Sequence, residues 1–147
     1  MTTSIQRSAL VPYSPAEMFA LVSDVDAYVD FLPWCSASRV LERPDEDQLK
    51  ARVEISKGGL HKAFTTHNRH QQDKCIEMRL VEGPFKRLEG FWQFDPMGES
   101  ACKVSLNLEF EFANRMLSMM VGPVFNQIAS SLVDAFHERA RQVYGKR

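Results

Sequence analysis

A strict two-residue alternation near the C-terminus constrains the fold more than any other feature of this chain. From 102 to 112 the odd positions are polar or charged, and the even positions are Cys102, Val104, Leu106, Leu108, Phe110 and Phe112. This pattern is typical of a β-strand that buries one face and exposes the other to water. The sequence therefore predicts a sheet with one dry face, which another element must cover.

The covering element follows directly in the chain. Asn114 is a favourable helix N-cap, and a helical pattern runs from there to about Val143. A helix of about 28 residues is roughly 42 Å long, while seven strands about 4.8 Å apart make a sheet roughly 30 Å wide. One long helix can therefore cover the whole dry face. Its apolar stripe after Pro123 consists of Phe125, Ile128, Leu132, Ala135 and Phe136.

The preceding residues predict six more strands and two short helices. Strand patterns bounded by turn residues cover 5–11, 35–41, 49–55, 62–71, 75–81 and 86–94, with the last strand over 101–112. Ser14 and Glu17 form a capping box that starts a first helix, and a second short helix over 24–31 ends before Pro33. The predicted fold class is α+β, with a curved seven-stranded antiparallel sheet around the long C-terminal helix.

Composition limits the function classes. A length of 147 residues with 44% hydrophobic residues favours one well-buried domain. A net charge of −1 gives no global attraction for nucleic acid, so we expect no DNA partner. No leader pattern or apolar run of bilayer length is recognised, which predicts a soluble protein without a transmembrane segment. Cys35, Cys75 and Cys102 lack metal-site spacing and are expected to be buried free thiols.

Residues that can carry chemistry do not form a catalytic or metal-binding pattern. His67 and His70 are three residues apart on a predicted strand and point to opposite faces, while His61 lies roughly 20 Å from His67. The aspartates of the short helical segment are better explained as caps and solvated positions: Asp24, Asp26 and Asp30. We therefore predict no metal site and no catalytic residues.

The segment from 115 to 125, RMLSMMVGPVF, is apolar almost all the way round a helix. Pro123 cannot donate a hydrogen bond to the carbonyl of Met119, so we expect a kink that lifts the methionine-rich part away from the sheet. Methionine side chains repack easily around flexible ligands. Met116, Met119 and Met120 are therefore predicted to roof a cavity.

The sheet supplies the predicted floor of this cavity. Leu88, Trp92 and Phe94 share one face, and Gly90 between them is expected to leave space above the sheet. The alternative, that such residues simply fill the core, stays open for each of them. Thr66, Asn68 and His70 either face the cavity, where they can bind ligand oxygens, or point to solvent. The predicted ligand-binding set is Phe31, Trp34, Phe64, Met78, Leu80, Phe85, Leu88, Trp92, Phe94, Met116, Met119, Met120 and Val124.

Four blocks of the sequence resemble one family along nearly the whole chain. They are VPYSPAEMFALVSDVDAYVDFLPWCSASRVL (11–41), FTTHN (64–68), RLVEGPFKRLEGFWQF (79–94) and SLNLEFEF (105–112). In this order and spacing they are similar to the bacterial RatA and mitochondrial coenzyme-Q-binding protein family. That family is part of the START-like, polyketide cyclase/dehydrase and lipid transport superfamily with the helix-grip fold.

The resemblance implies a single START-like coenzyme-Q-binding domain over residues 1–147. It would bind a polyprenyl quinone, such as ubiquinone or a related isoprenoid lipid, in support of respiration, without catalysis and with no required cofactor. It also implies an alternative, because bacterial members are described as ribosome-association toxins that bind the large subunit and block subunit joining. Candidate RNA contacts are Lys86, Arg87, Arg139 and Arg141. Either implication predicts a cytoplasmic bacterial protein, with at most peripheral, transient contact with the inner membrane.

Overall fold

The computed structural model describes residues 2–147, which form seven strands and three α-helices. The strands are β1 (Thr3–Val11), β2 (Cys35–Asp45), β3 (Gln48–Lys57), β4 (Leu60–Gln71), β5 (Cys75–Glu82), β6 (Phe85–Pro96) and β7 (Cys102–Phe112). The helices are α1 (Pro15–Ser23), α2 (Tyr28–Phe31) and α3 (Arg115–Tyr144), with a 3-10 turn (Val25–Ala27) before α2. The predicted α+β helix-grip arrangement is confirmed.

The seven strands form one antiparallel sheet in the order β1-β7-β6-β5-β4-β3-β2. Leu108 of β7 pairs with Ile5 of β1 and with Gly90 of β6, which in turn pairs with Met78 of β5. The apolar positions of β7 from Cys102 to Phe110 are buried, as the alternation predicts. The dry face of the sheet therefore runs without a break across the central strands.

Capping residues define the helix starts. The Ser14 Oγ accepts a hydrogen bond from the Glu17 backbone N–H at 3.1 Å, and the Glu17 carboxylate accepts one from the Ser14 N–H at 2.9 Å. The Asn114 Oδ1 accepts one from the Leu117 N–H at 2.9 Å. Both predicted caps are confirmed because each satisfies backbone donors that the first helical turn leaves without partners.

The second short helix differs from the prediction. Residues 24–31 form the 3-10 turn and the single-turn α2, and Asp24 makes no capping hydrogen bond there. Asp26 instead accepts a hydrogen bond from the Val40 N–H of β2 at 3.0 Å. The aspartate therefore fastens the short helical segment to the edge of the sheet.

Strand β2 continues past its predicted end at Leu41 and through Pro44. The reversal comes later, at Glu46 and Asp47, and the register of β2 on β3 shifts between Glu42 and Asp45. Proline is tolerated here because β2 is an edge strand and Pro44 lies within this register shift, where the regular ladder is interrupted.

Helix α3 lies against the β1–β7 side of the sheet and against α1. It continues through Pro123 without interruption, and the predicted lifting of its first part is wrong: Val121 is 1% exposed and Gly122 is buried near Phe112. By length and a mean hydropathy of 1.3 over its most apolar window, α3 resembles a membrane span, a property shared by core helices of soluble proteins. Here its apolar stripe packs on the sheet, with Phe125, Ile128 and Phe136 buried.

The C-terminus is fastened to α1. The Arg147 guanidinium donates to both oxygens of Glu17 at 2.6 and 2.8 Å, and the Tyr144 hydroxyl donates to the Glu17 carbonyl at 2.9 Å. The hydrogen bonds from Arg147 and from the Ser14 N–H lower the pKa of Glu17 to about 2. This clamp holds the last turn of α3 against the first turn of α1.

Candidate functional site

A partly open cavity of about 90 Å³ lies between α3 and the dry face of the sheet. The sheet contributes Ala51, Val53, Ile55, Phe64, Thr66, Asn68, Met78, Leu88, Trp92, Leu106 and Leu108. The opposite wall is formed by Val25, Tyr28, Trp34, Phe125, Ile128, Ala129, Leu132 and Phe136. Almost all of this lining is apolar, so the cavity suits a hydrophobic ligand.

Five predicted site residues lie on the cavity wall: Trp34, Phe64, Met78, Leu88 and Trp92. Their positions follow from the strand alternation, since Met78 pairs with Gly90 between Leu88 and Trp92. Their role as ligand contacts stays a prediction.

Five other predicted residues pack in the core beside the cavity and do not line it: Phe31, Leu80, Phe85, Phe94 and Val124. The Phe31 ring contacts the Phe136 ring at 5.3 Å between centroids, and the Phe94 ring stacks on Trp92 at 6.5 Å. These side chains stabilise the walls from behind.

The predicted methionine roof is wrong. Met116, Met119 and Met120 are 67%, 72% and 57% exposed and do not line the cavity. The helix turns their positions outward, because the face of α3 that meets the sheet is centred on Val121 and Phe125. The cavity is roofed instead by the part of α3 that follows Pro123.

Gly90 does not provide the predicted space. A Cβ atom at this position would lie 2.3 Å from the Asn107 carbonyl oxygen and 3.0 Å from the Leu108 Cα. Glycine is required because the backbones of β6 and β7 approach each other too closely for a side chain.

Two neighbouring polar side chains of β4 face the cavity. Thr66 and Asn68 are only 5% and 7% exposed, and the Thr66 hydroxyl donates to the Asn68 Oδ1 at 2.7 Å. Within residues 2–147 no group accepts a hydrogen bond from the Asn68 Nδ2. Thr66 and Asn68 therefore face the cavity and do not point to solvent. The N–H groups of the Asn68 amide are left to donate to a ligand.

His70 lies on the same face but outside the cavity wall. Its ring packs edge-on against Phe19 at 5.4 Å, and its buried Nε2 has no hydrogen-bond partner within the part of the chain that the structure describes. Burial lowers the pKa of His70, with a smaller contribution from Arg43. The ring is therefore neutral at pH 7.

His67 points to the opposite face, as predicted, and its Nε2 lies 2.9 Å from the Gln48 Oε1. Among residues 2–147, no group of three His, Cys, Asp or Glu side chains is placed to hold a metal ion. Cys35 and Cys102 are buried free thiols, and Cys75 is half-buried.

Several cavity residues were missed by the sequence reasoning. The alternation Ala51, Val53, Ile55 along β3 contained the signal, because every second residue of a paired strand faces the same side. Val25 and Tyr28 carried no such signal, since the turn that places them is irregular.

Helix α3 packs mainly on β1 and β7, so we infer that the cavity is least tightly closed between α3 and β3. Trp34 and Leu132 line the cavity and are partly exposed. Beside them the Lys57 Nζ donates to the Gln127 Oε1 at 2.9 Å, so a single hydrogen bond crosses the gap. A cavity that takes up benzene measures about 150 Å³. A six-membered ring therefore fits only if a wall of this cavity moves outward by a small amount.

The predicted basic residues are neither concentrated nor free. Lys86 lies 3.5 Å from Glu111, and Arg87 contacts Glu89 and Glu109 at 2.9 and 2.6 Å. Near the C-terminal end of α3, Arg141 pairs with Glu138 at 3.2 Å, and Arg139 lies over the Phe31 ring at 4.8 Å. The predicted basic residues therefore lie on two separate surfaces that also carry acidic side chains.

A curved sheet closed by one long helix around an apolar cavity defines a small domain of the helix-grip class. The chain belongs to the START-like family of RatA and coenzyme-Q-binding proteins, since the family described as "Polyketide cyclase / dehydrase and lipid transport" matches residues 11–137 and full-length relatives share up to half of its residues.

Three relatives illustrate the similarity. The "Ribosome association toxin RatA" of Pseudomonas aeruginosa is 49% identical over 99% of this chain and 100% of the relative. The "Coenzyme Q-binding protein coq10, mitochondrial" of Schizosaccharomyces pombe is 27% identical, over 91% of this chain and 84% of the relative. The solution structure of an 18 kDa protein from Caulobacter crescentus is 33% identical with a TM-score of 0.76, over 98% and 99% of the two chains.

Proposed function

We propose that this protein binds a polyprenyl quinone, ubiquinone or a related isoprenoid lipid, in the cavity under α3 and does not convert it chemically. The observation that carries the proposal is an apolar cavity with one hydrogen-bonding amide, Asn68, on its wall. A quinone has matching chemistry, since it combines an apolar ring and tail with carbonyl oxygens that accept hydrogen bonds.

The position of Asn68 supports a defined ring orientation. Because its Oδ1 already accepts from Thr66, its Nδ2 is the atom left to donate to a ligand carbonyl. A ligand carbonyl that accepts this N–H gains one hydrogen bond, worth about 0.5–1.5 kcal/mol. An aliphatic ligand of the same size lacks that gain.

The isoprenoid tail supplies most of the binding energy. Burying one CH₂ contributes about 0.8 kcal/mol, so each five-carbon unit contributes roughly 3–4 kcal/mol. Two or three buried units offset the ordering losses and reach about micromolar affinity. The proposed bound state therefore buries the first isoprene units together with the ring, and the cavity of about 90 Å³ widens to take them.

The chemistry of the wall supports binding without turnover. The titratable side chain on this wall is Tyr28, whose hydroxyl already donates a hydrogen bond to the Val22 carbonyl and whose pKa is raised by burial. The other polar side chains of the wall are neutral, and His70 lies outside it. General acid–base catalysis requires a titratable side chain within hydrogen-bond reach of the substrate. The proposed activity accordingly needs no cofactor.

A titration tests this proposal. A ubiquinone with a single isoprene unit is added to the protein while the fluorescence of Trp92 and Trp34, both on the cavity wall, is followed. Saturable quenching that Ala129→Leu weakens is expected, because the larger side chain occupies the cavity. The matched control is Ala135→Leu, on the same helix but outside the wall. Absence of saturable quenching, or recovery of a chemically altered quinone, contradicts the proposal.

A second candidate function comes from the relatives. Proteins 46–50% identical to this chain are named ribosome association toxins, which supports association with the ribosome. The family resemblance makes binding to the large subunit, with a block of subunit joining, the form of this candidate function. The charge distribution gives this candidate little support, because Lys86, Arg87 and Arg141 all have carboxylate partners.

Sedimentation with ribosomes separates the two candidates. If binding occurs through rRNA, the logarithm of the association constant falls with the logarithm of the salt concentration, with a slope of about −0.9 for each duplex phosphate contacted. It is also lost in Lys86→Gln/Arg87→Gln or in Arg139→Gln/Arg141→Gln, while Ala129→Leu has no effect. If these charge variants prevent accumulation of free subunits and Ala129→Leu does not, the ribosomal function ranks first.

A further inference from the structure

The outward face of α3 carries an exposed apolar patch that the cavity does not use. Met116, Met119 and Met120 are 67%, 72% and 57% exposed. Met120 lies four residues after Met116 and three before Pro123, so the three residues share one helix face. From Met116 to Val133 the helix has no charged side chain, a length of roughly 26 Å at about 1.5 Å per residue.

Three cations lie at the same end of the molecule as this patch. Arg115 begins α3 and Lys57 ends β3, where its ammonium group reaches Gln127 of α3 at 2.9 Å. Lys62 has the same strand parity as Phe64, so its side chain lies on the helix side of the sheet. Within residues 2–147 no carboxylate forms an ion pair with any of the three.

Acidic side chains at this end lie on the other face of the sheet. Glu82 is paired with Thr65, which is next to Phe64 on β4 and therefore points to the opposite face of the sheet. Glu111 is 3.5 Å from Lys86. The helix side is therefore positively charged around the methionines, although the whole chain has a net charge of −1.

The patch also adjoins the cavity opening. The hydrogen bond between Lys57 and Gln127 joins β3 to α3 close to the cavity wall, because Lys57 lies two residues after Ile55 and Gln127 directly precedes Ile128. Met120 lies seven residues before Gln127, about two helical turns along the same face. A ligand that leaves through this gap emerges next to the patch.

We propose that Met116, Met119 and Met120, with Lys57, Lys62 and Arg115, dock the protein onto an anionic lipid bilayer so that the cavity opening faces the membrane. The inference rests on the proposed function, because an isoprenoid ligand is dissolved in the bilayer. Hydrocarbon accommodates the methionines, and anionic headgroups attract the three cations. A stable protein partner normally buries about 1,200–2,000 Å² in total, more than three side chains provide.

Vesicle flotation tests the docking. The full chain is mixed with vesicles of phosphatidylcholine alone or with about 30% phosphatidylglycerol, at low salt and at about 1 M salt, where the Debye length falls to about 3 Å. Binding to the anionic vesicles at low salt is expected, with strong loss at high salt. Each removed cation weakens binding about fivefold, so Lys62→Gln/Arg115→Gln weakens it about 25-fold.

Apolar variants complete the test. Met116→Gln/Met120→Gln is expected to weaken vesicle binding about tenfold. Its matched control, Leu10→Gln/Met97→Gln, changes side chains that are 70% and 45% exposed at the opposite end of the sheet and leaves binding unchanged. Equal vesicle binding by both double variants overturns the proposal. So does an absence of vesicle binding, or a self-association without vesicles that only Met116→Gln/Met120→Gln removes.

Quinone titration of the same variants distinguishes docking from ligand binding. The short-tailed ubiquinone should quench the tryptophan fluorescence of the docking variants as strongly as that of the wild type. If the wild type binds anionic vesicles but not the quinone, the docking surface stands and the proposed function fails. If it binds the quinone but not the vesicles, the docking proposal fails alone.

Discussion

Replacing the polar pair of the cavity with apolar residues of similar shape separates binding from stability. In Thr66→Val/Asn68→Leu, the hydrogen bond of 2.7 Å between the two buried side chains disappears together with both polar groups. The cavity keeps its approximate volume and becomes entirely hydrocarbon at this wall.

The two expected effects have different magnitudes. Removing both partners of a buried hydrogen bond is nearly neutral, so the free energy of unfolding changes by less than about 1 kcal/mol or increases. The ligand loses one hydrogen bond from the Asn68 amide, which is worth about 0.5–1.5 kcal/mol. An upper value of about 1.4 kcal/mol corresponds to tenfold weaker quinone binding.

Urea unfolding and quinone titration measure the two quantities on the same samples. Thr65→Val is the matched control, because Thr65 is equally buried on β4 but points to the other face and does not line the cavity. It should leave the quinone affinity unchanged. A loss of more than about 3 kcal/mol of stability in the double variant would show that the pair is structural. Unchanged affinity would refute the assignment of Asn68 as the ligand donor.

The remaining predictions concern stability. Gly90→Ala should lower the free energy of unfolding by about 2 kcal/mol or more, because its Cβ would lie 2.3 Å from the Asn107 oxygen. Gly122→Ala should raise it by about 0.5–1 kcal/mol, since the nearest ring is 3.7 Å away and alanine favours the helix; a loss of stability in urea unfolding would contradict this. The pKa of Glu17 is lowered to about 2 in the folded protein. The ion pair with Arg147 therefore contributes its full stabilisation above about pH 4.5, and this stabilisation is lost as the pH falls through 2. Acid unfolding should therefore begin at higher pH in Arg147→Ala than in the wild type, and coincident curves would refute the clamp.

The fold was predictable because its sequence signals are local and agree with one another. The alternation of β7 identifies the dry face, and the caps at Ser14 and Asn114 identify helix starts. The end of β2 was misplaced because the effect of Pro44 depends on whether its strand lies at an edge, which the chain order alone does not reveal.

The site was predictable only where a strand determines the direction of a side chain. Leu88, Trp92 and Met78 were placed correctly on the cavity wall, because a strand side chain can point to only one of two sheet faces. The alternation of apolar and polar residues identifies which face is buried. On an apolar helix such as the start of α3, the sequence does not show which face meets the sheet. The methionines were assigned inward for that reason, and packing of Val121 places them outward.

Helix α3 is the last element of the chain, and this order has a consequence for biosynthesis. Until residues 115–144 are translated and released, the dry face of the sheet has nothing to cover it, and Trp92, Phe94 and Phe110 stay in contact with water or with other chains. Uncovered apolar strands favour aggregation of nascent chains. Folding of this protein is therefore completed only after α3 has left the ribosome, and a ribosome stalled before Arg115 would present an aggregation-prone sheet that depends on chaperones.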